Sequence, residues 1–168
     1  MDGIRWHLRS TTHPGSVATR RWGFLVRPKP RGLAMRTTIV CTEDIAVSCD
    51  QVNGWTVVEV DGEVDVRTHS RIREAVITLL GDGHRHFVLD LCFVPFLDSM
   101  GLGTVVAVTR LIRQFEGSLR ITCPSARMLK VFQHGGLGDA YEFYDSPQDA
   151  TCQAPTGDGL AHWPGTHG

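Results

Sequence analysis

The sequence predicts a single α/β domain: a mixed sheet of about five strands, in the order ββαβαβαβ, with helices packed on it. Two observations carry that prediction. Asn53-Gly54, flanked by β-branched and aromatic residues, is the strongest short-range hairpin signal. Beyond it, short apolar runs alternate with stretches of helical periodicity that end in glycine, as repeated strand–helix units require.

Ile45 to Gln51 and Trp55 to Asp61 are the hairpin strands, with Trp55, Val57 and Val60 suited to a pleated surface. Thr68 to Leu80 follows as a helix, because Ile72, Val76, Leu79 and Leu80 recur at helical spacing and Gly81-Asp82-Gly83 ends it. His86 to Leu91 is an apolar run of the kind found in strands covered on both faces. The loop Cys92 to Asp98 leads to a second helix, about Ser99 to Gln114, apolar around much of its circumference. After the turn at Glu116-Gly117, Leu119 to Thr122 is a strand. Pro124-Ser125 opens a third helix stopped by Gly135-Gly136, and Tyr141 to Tyr144 is a last strand. A final short helix is expected after Ser146-Pro147.

Charge divides the chain. Residues 1–36 hold eight Lys/Arg against one acid, and the other 132 residues hold nine against seventeen, so a segment of +7 joins a body of −8. The expected organisation is a basic flexible arm at 1–37, one domain at 38–150 and a disordered tail at 151–168. Met35 opens the regular sequence, which suggests an upstream start codon for residues 1–34; peptides from before Met35 in the native protein would reject that. An acidic body is poorly suited to wrapping nucleic acid. No run of about 18 apolar residues exists, so no membrane-spanning helix is expected. Arg20-Arg21 resembles a twin-arginine export signal, but the charged, proline-broken Val26 to Arg31 follows where an apolar stretch is required. The five cysteines are odd in number and lack CxxC spacing, which points to a reducing cytoplasm. The pair His84 and His86 has no Cys or carboxylate pattern around it, so it reads as a surface pair and no metal is expected.

The informative stretch is Asp90 to Gly103, where a strand runs into a loop and Asp98-Ser99 stands at a helix start. Either side chain suits a helix cap. Gly101 and Gly103 in the first turn each cost about 1 kcal/mol relative to alanine. That cost is understandable where another backbone or a partner approaches closely.

These residues resemble the STAS domain, in particular the bacterial anti-sigma factor antagonists. Gly62-Glu63-Val64-Asp65 is similar to the family's Gly-Glu-Leu-Asp. Phe96-Leu97-Asp98-Ser99-Met100-Gly101-Leu102-Gly103 resembles its central signature, Phe-hydrophobic-Asp-Ser-small-Gly-Leu-Gly. Gly117 to Pro124 and Phe132 to Leu137 resemble later segments, so the likeness spans about residues 40–148. Met100, where a small residue is common, and Gly135, where Ser or Thr is common, depart from the pattern. The resemblance implies an anti-sigma factor antagonist and not an enzyme. It would bind an anti-sigma factor serine kinase of the GHKL ATPase type while unphosphorylated, so releasing the sigma factor. Phosphorylation of Ser99 would end that binding, and a metal-dependent serine phosphatase would reset it. Asp65, Asp98, Ser99, Met100, Gly101 and Gly103 are the implied partner-binding residues, with no cofactor of the chain's own.

Other readings of the same residues remain. A stressosome-like scaffold or sensor shares the fold without acting on a sigma factor. A serine hydrolase using Ser99 lacks the first glycine of Gly-x-Ser-x-Gly, since Leu97 stands there. Nucleotide binding lacks a P-loop lysine and the third glycine of a dinucleotide fingerprint.

Overall fold

The computed structural model describes residues 36–122 and 125–156. The expected arm up to residue 35, Pro124 at the opening of the third helix, and the tail from residue 157 lie outside the described residues. Ten elements run in the order β1 (Thr37–Cys41), β2 (Ile45–Val52), β3 (Trp55–Gly62), α1 (His69–Gly81), β4 (His86–Phe93), α2 (Ser99–Gln114), β5 (Ser118–Thr122), α3 (Ala126–His134), β6 (Phe143–Tyr144) and α4 (Pro147–Thr151).

The six strands form one sheet in sequence order. β1, β2 and β3 pair antiparallel, whereas β3 to β6 pair parallel. The mixed character follows from the connections. A two-residue turn at Asn53 (φ 50°) and Gly54 (φ 83°) reverses the chain, and each later pair needs a crossover, which α1, α2 and α3 supply.

Strand periodicity sorts the side chains into two layers. Val58 and Val60, Phe87, Leu89 and Leu91, and Leu119 and Ile121 face the main core with Ile72, Val76, Val105, Ile112 and Phe132 of the helices. On the opposite face Trp55, Val57 and Val88 close a smaller core with Ala150 of α4, and Tyr144 packs against it.

The sheet has six strands rather than about five. β1 is the addition, an edge strand with only Ile39 and Val40 partly buried. Its Thr-Thr-Ile-Val-Cys sequence abuts the basic segment, and the charge change there masked its β-branched character. The body thus begins at or before Thr37, and Arg36 already forms a two-pronged ion pair with Glu59, both contacts 2.8 Å. At the other end, residues beyond 150 are also engaged. Thr151 O accepts from Asn53 Nδ2 at 2.9 Å and Gln153 O accepts from Trp55 Nε1 at 2.8 Å. The last strand is shorter than expected, because Tyr141 is buried and its hydroxyl pairs with Thr109 Oγ1 at 2.9 Å. Burial pushes that phenol up to about 12. His84 and His86 are not a solvent-facing pair: His84 Nδ1 lies 2.6 Å from Thr56 Oγ1, and His86 Nδ1 lies 2.7 Å from Ser118 Oγ.

Candidate functional site

Two loops at the carboxyl ends of adjacent parallel strands build the site, the position where open α/β sheets generally present ligand-facing loops. The loop after β3 and the loop after β4 are joined by an isolated parallel bridge between Val64 and Leu97. Val64 N donates to Phe96 O at 2.9 Å, and Asp98 N donates to Val64 O at 3.1 Å. The segments carrying Asp65 and Ser99 are therefore held side by side by backbone, independent of any side chain.

Asp98 caps α2. Its Oδ1 accepts from Met100 N at 2.8 Å and Gly101 N at 2.9 Å, satisfying two of the unpaired first-turn amides. Ser99 is the first helical residue and is exposed. Its hydroxyl makes no hydrogen bond to a described residue. Of the two side chains that suit a cap, the aspartate takes the task and the serine bonds none of the described residues.

Asp65 plays the matching part at the other loop. Its Oδ1 accepts from Arg67 N at 2.8 Å and Thr68 N at 3.1 Å, and its Oδ2 lies 3.2 Å from Arg67 Nε. The Arg67 amide, with the Arg67 guanidinium and the Thr68 amide behind it, holds the Asp65 carboxyl below the usual carboxylate range. Arg67 also reaches Asp44, 3.8 Å away.

The glycines of the first turn separate. A Cβ on Gly101 would stand 2.6 Å from Leu97 Cδ1, 2.8 Å from Val64 Cγ1 and 2.9 Å from Val64 O. Gly101 is buried, and its task is to let the β3 loop lie directly on α2. No described residue stands within 4 Å of a Cβ on Gly103, which is exposed.

Of the implied residues, Ser99, Met100 and Gly103 are exposed, Asp65 and Asp98 half-buried, and Gly101 buried beneath Val64. The implied partner-binding set includes neither Val66 nor Phe96. They are 65% and 40% exposed, and Met100 is 46% exposed. Val94 and Leu97 turn inward instead, Leu97 at the bridge to Val64 and Val94 in a turn whose N–H donates to Leu91 O at 3.1 Å. Between the β4–α2 loop and α3 lies a cavity of about 90 Å³, lined by Val94, Phe96, Leu97, Ser125, Arg127 and Met128 among others.

No histidine among the described residues bonds Ser99, and His69 is committed to Thr104, 3.0 Å away. Among the described residues no group of three or more His, Cys, Asp or Glu is placed to hold a metal, and no helix is long and apolar enough to cross a membrane.

Comparison with known proteins agrees with this architecture. The STAS domain family matches residues 46–150. The anti-sigma-B factor antagonist of Staphylococcus aureus is 34% identical over 82 residues, covering 49% of this chain and 76% of the relative. That of Bacillus subtilis is 32% identical over 84 residues, covering 49% and 74%. Among solved structures, the Bacillus cell fate determinant SpoIIAA in its phosphorylated form aligns with a TM-score of 0.50 and 27% identity, over 64% of this chain and 96% of that one. An anti-sigma factor antagonist from Mycobacterium paratuberculosis aligns with a TM-score of 0.56 and 25% identity, over 68% and 97%. These relatives are named for opposing another protein and not for a reaction, and the match over residues 46–150 makes this chain a member of the STAS domain family.

Proposed function

We propose that this chain is an anti-sigma factor antagonist of the bacterial cytoplasm, with residues 38–150 carrying the activity and Ser99 as its phosphorylation switch. The observation that carries the reading is the exposed Ser99 hydroxyl at the start of α2, beside an Asp98 that already caps the helix. Modifying Ser99 removes no hydrogen bond among the described residues.

In the unmodified state the partner, an anti-sigma factor serine kinase of the GHKL type, covers a surface of Val66, Phe96 and Met100 around Ser99, with Asp65 and Gly103 at its edge. Burial of exposed apolar side chains drives that docking. The kinase transfers the γ-phosphoryl group of its ATP to Ser99 Oγ: the new P–O bond forms as the serine loses its proton, the bond from the γ-phosphorus to the β-phosphate oxygen breaks, and ADP leaves. The phosphate brings roughly −1.5 to −2 charges. Desolvating an unpaired charge in an interface costs about 2–5 kcal/mol, a loss of roughly 30-fold to several thousand-fold in affinity. A metal-dependent serine phosphatase restores the hydroxyl. That a relative's structure was determined in a phosphorylated form supports the reading.

Calorimetry against the cognate kinase tests it. Ser99→Ala binds as the parent does and withstands ATP, whereas the protein carrying phosphoserine at 99 binds at least about 30-fold more weakly. Equal affinity of the modified and unmodified forms overturns the switch.

A further inference from the structure

We propose that Met100 is a peroxide-sensitive modification site within the docking surface, and that its oxidation to methionine sulfoxide weakens partner binding without any kinase acting. This rests on the docking reading above and adds a second chemistry, on the residue next to Ser99.

The fold uses the backbone of Met100 and not its side chain. Its N–H donates to Asp98 Oδ1 at 2.8 Å, closing the first turn of α2. The side chain is 46% exposed and belongs to neither core. It forms the apolar docking surface together with Val66 and Phe96, and of the three only the thioether is readily oxidised. Met128, the other methionine among the described residues, is 5% exposed and packed in the main core. Peroxide reaches it only through local opening of α3. One described methionine is therefore open to oxidant, and it stands where the partner is to be covered.

The chemistry needs a hydroperoxide and no metal. The Met100 sulfur attacks one peroxide oxygen, the S–O bond forms as the O–O bond breaks, and with hydrogen peroxide the second oxygen leaves as water. Sulfur gives up two electrons and the peroxide takes them. A methionine sulfoxide reductase reverses the step, removing the oxygen as water while a dithiol is oxidised to a disulfide.

Oxidation acts on binding and spares the fold. A thioether is flexible and polarizable, suited to moulding against a partner's apolar surface. A sulfoxide brings a polar oxygen into that contact, where desolvating it without a donor lowers affinity by about 5- to 150-fold. In the free protein the same oxygen stands in water, and the Asp98 cap is untouched, so the melting temperature holds.

The experiment treats the full chain with limiting hydrogen peroxide and then with dithiothreitol. The thiol returns disulfides and sulfenic acids at the exposed Cys41 and Cys152 to cysteine and leaves the sulfoxide in place. Peptide mass spectrometry reads where oxygen enters, and calorimetry against the cognate kinase reads affinity. Met100 is oxidised before Met128, affinity falls within the range above, and the reductase restores it. Met100→Gln, polar and of similar length, binds as weakly as the oxidised parent. Met100→Leu has one affinity, the same before and after peroxide. Met1 and Met35, outside the described residues, are present in that variant too, so a loss it shares with the parent assigns the effect elsewhere and overturns the proposal. Equal affinity of the parent before and after oxidation at Met100 overturns it as well, and leaves the docking reading standing. An untreated chain that does not bind the kinase overturns both.

Discussion

The sheet face beneath α4 and the loops at the carboxyl ends of β3 and β4 treat the same kinds of side chain in opposite ways. Beneath α4, Trp55 is fully buried and lies under the Arg120 guanidinium at 4.2 Å, with Tyr144 on the same cation at 5.3 Å. Arg120 Nη1 donates to Ala150 O at 2.6 Å, so even the charge there is used to fasten α4 to the sheet. At the loops after β3 and β4 the polar groups are satisfied by backbone amides, while Val66, Phe96 and Met100 stand in solvent. One region encloses its apolar surface and holds the fold. The other spends hydrogen bonds to fix a shape whose apolar surface is left uncovered, as an interaction site requires.

That contrast breaks first at Trp55. Trp55→Ala removes the largest side chain of the smaller core, its stack with Arg120 and its bond to Gln153 O, and lowers stability by about 3–5 kcal/mol in a denaturant titration. The native fraction still binds the partner with parental affinity, because no site residue moves. Loss of affinity in that fraction would show that the two regions are coupled. Gly101→Ala comes next. Its Cβ has no room beside Val64 O and Leu97, so the β3 loop must lift off α2, at a cost of about 1–3 kcal/mol. Unlike Trp55→Ala, it weakens partner binding too, since the bridge that aligns the loops is disturbed. Asp98→Ala leaves the amides of Met100 and Gly101 without their acceptor and costs about 1 kcal/mol, read as a lowered melting temperature.

Much of this was legible in the sequence because local rules agree with the global fold. Asn53-Gly54 makes the hairpin turn, the second helix begins at Ser99 as expected, and Gly81-Asp82-Gly83 ends the first, with His84 N closing on Leu79 O. β1 was missed because five residues at a sheet edge carry little burial pattern and sit against a change in charge. At the site, the motif residues could be named but not sorted. Asp98 and Ser99 are equally good caps by type, and Gly101 and Gly103 carry equal helix penalties. Only the approach of Val64, a contact between distant segments, decides that one glycine faces the core and the other solvent. The exposure of Val66 and Phe96 was not legible for the same reason: an apolar residue in a loop carries no period to say where it points.

The smallest effect is the most discriminating. Gly103 lies exposed in the first turn of α2 with no described residue within 4 Å of where a Cβ would stand. Within the isolated protein an alanine there removes a helix penalty, so Gly103→Ala raises stability by up to about 1 kcal/mol. On the proposed interface, a glycine that no described contact requires is accounted for by a partner whose surface comes closer than a methyl group permits. Gly103→Ala therefore melts higher and binds the cognate kinase less tightly, two changes of opposite sign from one methyl. Gly101→Ala moves both downward. If Gly103→Ala gains stability and binds as the parent does, the partner does not reach that side of the helix, and the interface shrinks to Ser99, Met100 and the loop of Asp65.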